Sequence, residues 1–322
     1  MSYSKSDLPS NFNSNIQSDI KSKFTSDIQS DISSDLQSNF RSDLRDRILG
    51  LELLPDQAAL YYIGQVGFII KYRNTYTMID GYLSDYVDKN CSSALVRWER
   101  LYPAPIPAED LDFLDYVFCT HAHCDHADPW TIRKIAEVNR KAKFIGPSPV
   151  CGVYKECGIP EGRILQPAID KPIVLDPDHE ISVTMIPSAH EELHPDQEGG
   201  FEEVGYRISF GSVTVYHSGD CCPYEGLESR IMNCDALILP VNGRDYYRRY
   251  VKDIIGCFDS TEAITLAADT HAGMLIPVHW DLYRVNEINP GAFVDLAHRL
   301  HPEIPFHIFV PGEGYILSAH HR

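Results

Sequence analysis

The first 48 residues follow a four-residue repeat with one apolar position in every four. Serine recurs from Ser6 to Ser42, and an apolar side chain recurs from Leu8 to Ile48, each at every fourth position. Positions i and i+4 share a helix face, although the stripe winds slowly because the helical period is about 3.6 residues. Serine, aspartate and asparagine are mediocre helix formers. Two interpretations stay open for residues 1–48: a helical arm for docking or oligomerisation, and a mostly flexible leader.

From residue 49 to residue 322 the pattern changes to strand-like segments mixed with helix-like ones. The stretches "ALYYIGQVGFIIKY" and "TYTMIDGY" predict two or three β-strands with turns at Gly64 and Gly67. In "DPWTIRKIAEVNRK", Asp128 is placed to cap a helix that begins at Pro129. "STEAITLAADTHA" and "NPGAFVDLAHRLH" predict further helices. Residues 49–322 are therefore expected to form one mixed α/β domain.

The charge of the chain restricts its partners. A net charge of −18 over 322 residues disfavours a nucleic acid or an anionic membrane, because both would repel the protein. It leaves room for a local basic pocket that binds an anionic small molecule. The nine cysteines lack paired CxxC spacing, and no leader or membrane-length apolar run is visible. We expect a cytoplasmic protein with reduced thiols, and a homo-oligomer.

Histidines crowd together in the segment "CTHAHCDHADPW", which follows the apolar strand "LDYVFC". Its candidate metal ligands are His121, His123, Asp125 and His126. Four other predicted strands end at a residue of the same chemical kind: Asp80, His190, Asp220 and His279. Groups at the carboxyl ends of strands converge at one edge of a sheet. Imidazole with carboxylate suits Zn, Mn or Fe, and the missing thiolates disfavour a structural zinc site. We interpret neighbouring polar residues as bystanders: His217, Cys124, Cys221 and Cys222.

The motif "THAHCDH" resembles the HxHxDH signature of the metallo-β-lactamase superfamily. Asp80, His190, Asp220 and His279 follow in the order that this superfamily uses. The segments "FIGPSPVCGVYKECGIPEGRI", "VYHSGD" and "MLIPVHWDLY" resemble the branch typified by bacterial L-ascorbate-6-phosphate lactonase. The resemblance covers about residues 58–315.

The resemblance implies an αββα sandwich with a site for one or two divalent ions, Zn or Mn, at one edge of its sheets. The implied ligands of the first ion are His121, His123 and His190. Those of the second are Asp125, His126 and His279. Asp220 would bridge the ions, and Asp80 would orient a ligand histidine. Asp125 and Asp220 are the residues implied to take part in catalysis.

This site implies a metal-dependent hydrolase that attacks its substrate with a metal-bound hydroxide. The branch implies a lactonase that opens a phosphorylated sugar-acid lactone, as part of carbohydrate metabolism. One alternative is a phosphodiesterase or phospholipase-D-like hydrolase on the same fold. A second is a non-catalytic scaffold, against which the complete ligand set argues.

The densest basic segment of the domain is "NGRDYYRRYVKD", which follows the predicted strand "ALILPV". We predict that Arg244, Tyr246 and Arg248 bind the anionic substrate there, because arginine forks hold phosphate and tyrosines stack on sugars. The alternative is a helix face whose arginines pair with nearby acids.

Overall fold

The computed structural model describes residues 44–197 and 199–319. Most of the four-residue repeat, and with it the choice between arm and leader, lies outside these residues. Helix α1 covers 44–50, where the last two apolar positions of the repeat, Leu44 and Ile48, are 1% and 0% exposed. Both side chains belong to the core of the domain. The packed domain therefore includes residues 44–48, which the sequence pattern assigned to the arm.

The first sheet has seven strands in the order β13-β1-β2-β3-β4-β5-β6. They are β1 (Gln57–Gly64), β2 (Gly67–Tyr72), β3 (Thr75–Ile79), β4 (Tyr116–Phe118), β5 (Lys143–Ile145), β6 (Ile164–Leu165) and β13 (Gly314–Ser318). The strands from β13 to β3 pair antiparallel, and those from β3 to β6 pair parallel.

The second sheet has six strands in the order β12-β11-β10-β9-β8-β7. They are β7 (Ile173–Asp176), β8 (Ile181–Pro187), β9 (Val204–Phe210), β10 (Val213–His217), β11 (Ala236–Pro240) and β12 (Leu275–Val278). The strands from β10 to β12 pair parallel, and those from β7 to β10 pair antiparallel. Both sheets are therefore mixed.

Helices flank the sheets, and the predicted ones are confirmed. They are α2 (Tyr86–Asn90), α3 (Pro129–Val138), α4 (Ser148–Glu156), α5 (Leu227–Ile231), α6 (Ser260–Asp269) and α7 (Pro290–Leu300). Asp128 caps α3 by accepting the Trp130 N–H, as its position before Pro129 predicts. Across the described part of the chain, no helix has the length and apolar character needed to span a bilayer.

Three layers of apolar side chains hold these elements together. Between the sheets, Leu60 and Phe68 of the first sheet lie in one cluster with Ile208 of the second. On the outer face of the first sheet, the strands pack against α3 and α4. On the outer face of the second, they pack against α5, α6 and α7. The order of layers is helix, sheet, sheet, helix, which confirms the αββα fold class.

The parallel pairs bring the predicted strand ends to one edge. In the first sheet, Ile79 lies opposite Phe118, so Asp80 and the histidine-rich segment leave neighbouring strands together. In the second sheet, β10, β11 and β12 run the same way, and β8 shares their direction because two antiparallel pairings separate it from β10. The segments that follow these strands therefore meet where the two sheets meet.

Candidate metal centre

The carboxylate of Asp220 lies at the middle of the converging side chains. Its Oδ2 is 3.4 Å from His126 Nε2, 3.5 Å from His279 Nε2, 3.6 Å from His190 Nε2 and 4.0 Å from His121 Nε2. Donor atoms about 2.1 Å from one ion at tetrahedral angles lie about 3.4 Å apart. The four imidazoles thus surround the carboxylate at the spacing of shared metal ligands.

The ligand-type side chains fall into two groups, within each of which the donor atoms lie within 4.8 Å of one another. One group is His121, His123, His190 and Asp220, and the other is Asp125, His126 and His279. Asp220 also approaches the histidines of the second group, as a bridging carboxylate would. The structure therefore brings together all seven residues predicted to bind metal, in the division that the family resemblance implies.

The unsatisfied atoms of the centre fit divalent cations. His126 Nε2 and Asp220 Oδ1 are buried and lack a hydrogen-bond partner among the described residues. His121 Nε2 and His123 Nδ1 face each other at 3.0 Å. Buried lone pairs without a donor are costly, and a shared cation satisfies them. A set of imidazoles and carboxylates binds Zn, Mn and Fe alike, so these donor atoms fit a divalent metal but do not distinguish among the three.

The Asp80 carboxylate lies against the His126 ring and also accepts two hydrogen bonds from Thr120. Asp80 Oδ2 lies 2.9 Å from His126 Nδ1 and accepts the Thr120 hydroxyl at 2.7 Å, while Oδ1 accepts the Thr120 N–H at 2.8 Å. With its proton held at Nδ1, His126 presents the lone pair of Nε2 to the centre. The position predicted for Asp80 therefore agrees with its contacts, whereas the sequence pattern gave no sign of Thr120.

Gly219 allows its backbone to pack directly against the side chain of Thr120. Its φ is +61°, in the left-handed region that favours glycine, and a Cβ there would lie 2.6 Å from the side chain of Thr120. Asp80 and His279 also have positive φ values, 46° and 64°. Left-handed backbone at non-glycine residues is uncommon and concentrates at functional sites.

Gln65 is a further residue of the centre that sequence reasoning missed. It occupies the turn between β1 and β2 and is 1% exposed. Its Nε2 donates to Asp125 Oδ2 at 2.8 Å and lies 3.1 Å from His279 Nε2. Its backbone oxygen accepts the His279 N–H at 2.8 Å. Gln65 therefore links two candidate ligands of the second group, Asp125 and His279.

Burial and mutual charge set the protonation of the centre. Burial lowers the pKa of His126, but the carboxylates of Asp220, Asp125 and Asp80 raise it well above its ordinary value. Burial raises the pKa of Asp220, but His279 and His126 lower it well below its ordinary value. Burial also lowers the pKa of His190 to about 4, despite the nearby Asp220. Asp220 is thus ionised and His190 is neutral, the forms that bind metal, whereas His126 would release a proton from Nε2 when a metal binds.

A cavity of about 360 Å³ opens beside the ligands. Its walls include Val87, Trp98, Ile254, Ile255, Tyr283 and Asn286, with His123, Asp125, His190, Asp220 and His279 on the side of the centre. Asp253 is the one charged lining residue outside the ligand groups, and no lysine or arginine is among the described residues that line it. The cavity is a mostly apolar chamber for a small molecule.

The residues predicted to bind substrate do not line this cavity. Arg244 places its guanidinium against both carboxylate oxygens of Glu262, at 2.6 and 2.5 Å. Tyr246 is 74% exposed, and Arg248 donates to backbone carbonyls of the segment after β12. The contacts of Arg244 agree with the alternative of arginines paired with acids. The same loop reaches the cavity later, through residues 253–255.

The bystander residues have distinct surroundings. His217 is buried, and its Nε2 donates to the Val66 oxygen at 2.8 Å, in agreement with a core role. Cys221 and Cys222 are buried free thiols. Cys124 lies between two candidate ligands and lines the cavity.

Comparison with known sequences identifies the family. The family model described as a β-lactamase superfamily domain matches residues 87–280. An uncharacterised protein of Mycobacterium tuberculosis is 27% identical over 229 residues, which cover 64% of this chain and 56% of that protein. This match therefore spans about half of the length of that relative. A UPF0173 metal-dependent hydrolase of Methanoculleus marisnigri is 28% identical over 218 residues, covering 65% of this chain and 83% of that protein.

Solved structures share the fold at low sequence identity. Isothiocyanate hydrolase from Delia radicum gut bacteria superposes with a TM-score of 0.63 at 16% identity, covering 81% of this chain and 100% of that one. CmlA, a diiron β-hydroxylase from Streptomyces venezuelae, superposes with a TM-score of 0.58 at 16% identity, covering 83% and 55%. The fold thus carries more than one chemistry. Because the family model matches more than half of the chain, the protein belongs to the β-lactamase superfamily that this model describes, and it has the metallo-β-lactamase fold.

Proposed function

We propose that the protein hydrolyses a carboxylic ester, and specifically a lactone. The observation that carries the proposal is the carboxylate of Asp220 among four imidazole nitrogens beside a cavity of about 360 Å³. A chamber of this size suits a small molecule better than a polymer. Divalent ions held by the two ligand groups would activate water near neutral pH and polarise the carbonyl under attack.

The side chains of the chain position the reactants. Asp125 lines the cavity with 22% of its side chain exposed, and nearby histidines lower its pKa despite burial, which acts in the opposite direction. Its carboxylate is therefore available to accept a hydrogen bond from the attacking water and to hold the water in line with the carbonyl carbon. Trp98 and Tyr283 pack edge to face, with ring centroids 5.0 Å apart, and form part of the apolar wall opposite the reactants.

The walls of the cavity favour a neutral substrate. A phosphorylated sugar-acid lactone, as predicted from the sequence, needs a cation for its phosphate, and the lining offers the Asp253 carboxylate instead. We therefore place an unphosphorylated lactone ahead of the phosphorylated one. The argument does not extend to the phosphodiesterase alternative, because divalent ions held by the two ligand groups would themselves neutralise the charge of a phosphodiester under attack.

A hydrolysis screen tests the proposal. The full chain is treated with a chelator, reloaded with Zn or Mn, and assayed on an unsubstituted lactone, a hydroxylated lactone, a phosphorylated lactone and bis(p-nitrophenyl) phosphate. We expect metal-dependent opening of the neutral lactones and less than a few per cent of that activity in Asp220→Ala. A strong preference for the phosphodiester would support the alternative function, and activity on none of the four in either metal form would refute a lactonase.

A further inference from the structure

Asn286 is a buried polar side chain that the proposed chemistry leaves unused. It follows β12 and the ligand His279, is 2% exposed, and lines the same cavity as the ligands. Its Oδ1 has no hydrogen-bond partner among the described residues. An acceptor buried without a donor destabilises a fold, so its presence calls for an explanation.

The backbone around Asn286 is held on both sides by one guanidinium. Arg248 Nε donates to the Val285 oxygen at 2.8 Å, and Arg248 Nη2 donates to the Glu287 oxygen at 3.2 Å. Earlier in the segment, the Tyr283 hydroxyl donates to Asp88 Oδ1 at 2.9 Å. The segment that carries Asn286 is therefore fixed from two directions.

The surroundings of Asn286 favour a hydrogen-bond donor as its partner. Beyond the ligand groups, the lining residues with polar groups are Asn286, Asp253, Trp98, Tyr283, Cys91 and Cys124, and none of the described lining residues is a lysine or an arginine. The terminal torsion of an asparagine is broad, which leaves its amide free to turn its oxygen toward a bound molecule. A hydroxyl or an amide N–H of a bound molecule would satisfy this oxygen, whereas a phosphate would not.

We propose that Asn286 is a specificity-determining residue whose side-chain oxygen accepts a hydrogen bond from a hydroxyl or amide N–H of the substrate. The inference rests on the proposed lactonase in assuming that the cavity beside the metal centre is the substrate site. It narrows the substrate to a neutral lactone that carries a donor close to its ring. A site with a buried acceptor discriminates strongly against an analogue that lacks the donor.

The test compares γ-butyrolactone with its α-hydroxy and β-hydroxy derivatives on the metal-loaded full chain. One good hydrogen bond is worth about tenfold in kcat/KM, so we expect the wild type to prefer a hydroxylated lactone by about that factor. Asn286→Ala should reduce this preference to less than about twofold, and Asn286→Asp, which keeps an acceptor, should retain it. Asn242→Ala is the matched control, because Asn242 is also 2% exposed with unpartnered side-chain atoms but lines a different cavity. It should leave the preference unchanged.

Binding of the matching lactams, measured by ligand-observed NMR, separates this inference from the proposed function. If the protein opens no lactone but binds a hydroxylated lactam more tightly than the plain one, and Asn286→Ala removes the difference, the lactonase is refuted and the role of Asn286 stands. If the lactones are opened and Asn286→Ala slows plain and hydroxylated ones equally, the role of Asn286 is refuted and the lactonase stands. A wild type without any preference for the hydroxylated compounds in either assay also overturns the inference.

Discussion

The carboxylate of Asp80 makes three hydrogen bonds, and an asparagine in its place cannot make all of them. Oδ2 faces His126 Nδ1 at 2.9 Å and the Thr120 hydroxyl at 2.7 Å, and Oδ1 faces the Thr120 N–H at 2.8 Å. If the new amide nitrogen takes the position of Oδ2, His126 must accept at Nδ1, and its proton moves to Nε2, the atom directed at the metal. If the amide nitrogen takes the position of Oδ1, it faces the Thr120 N–H, and two hydrogen-bond donors then point at each other.

Both orientations of the new amide should weaken folding and metal binding. The lost charge-assisted bond and the unsatisfied buried donor cost about 1–3 kcal/mol of unfolding free energy. Loss of an outer partner of a ligand histidine typically lowers metal affinity about 10–100-fold. We therefore expect Asp80→Asn to stay folded at room temperature and to bind Zn or Mn at least tenfold more weakly than the wild type.

The measurement is a competition titration of the chelated protein with a metal-binding dye, together with urea unfolding. Asp128→Asn is the matched control. Asp128 is also 0% exposed and accepts hydrogen bonds from Trp130, Ser84 and Thr131. These bonds cap helix α3 and do not orient a candidate ligand. The control should lose comparable stability and keep its metal affinity. Equal metal affinity in Asp80→Asn and Asp128→Asn would refute the orienting role of Asp80.

Three further predictions concern the arm, the pH dependence and the basic loop. Deleting residues 1–43 should leave the unfolding free energy and the rate on a soluble lactone nearly unchanged. Deleting residues 1–48 should destabilise the domain by about 2–5 kcal/mol for each of the buried side chains of Leu44 and Ile48. Equal urea midpoints for the two deletion variants would contradict this prediction. In the chelated protein, the raised pKa of His126 gives stability that is full below about pH 6.5 and is lost as the pH rises through its folded value. The lowered pKa of Asp220 gives stability that is present above about pH 4 and is lost as the pH falls through its folded value. Calorimetry should therefore find the highest apo melting temperature between these limits, and a steady rise from pH 6.5 to 9 would contradict the assignment. Arg244→Gln should lower the unfolding free energy by at most about 1 kcal/mol, because the Arg244–Glu262 ion pair is partly exposed. It should leave KM for plain and phosphorylated lactones within about twofold. A selective loss of activity on the phosphorylated lactone would support a substrate-binding role for Arg244.

The convergence of the candidate ligands could be predicted because each of them follows a strand whose pattern is visible locally. His121, Asp220 and His279 come directly after or close to apolar or alternating runs, and parallel pairing then brings the strand ends to one edge. Chemistry and position along the chain were sufficient there, since a metal centre needs several donors of recognisable type.

The residues that the sequence did not reveal act through partners far along the chain. Gln65 contacts Asp125, 60 positions away, and the type of residue in a two-residue turn gives no hint of such a contact. The loop containing Arg244 follows a strand at the expected edge, but its guanidinium reaches the carboxylate of Glu262, which also belongs to the capping box of α6. A local pattern gives the position of a loop and the charge of its side chains, but not which partner each of them finds.

We propose that the two groups of candidate ligands around Asp220 hold the ions on which hydrolysis depends. The most direct measurement titrates the chelated full chain with Zn or Mn and records lactone hydrolysis against the number of bound ions per chain, with Asp220→Ala in parallel. We predict that activity rises with bound metal, saturates at two ions per chain, and stays near background in the variant. Activity that is independent of metal, or that Asp220→Ala retains in full, would show that hydrolysis does not depend on ions held at Asp220.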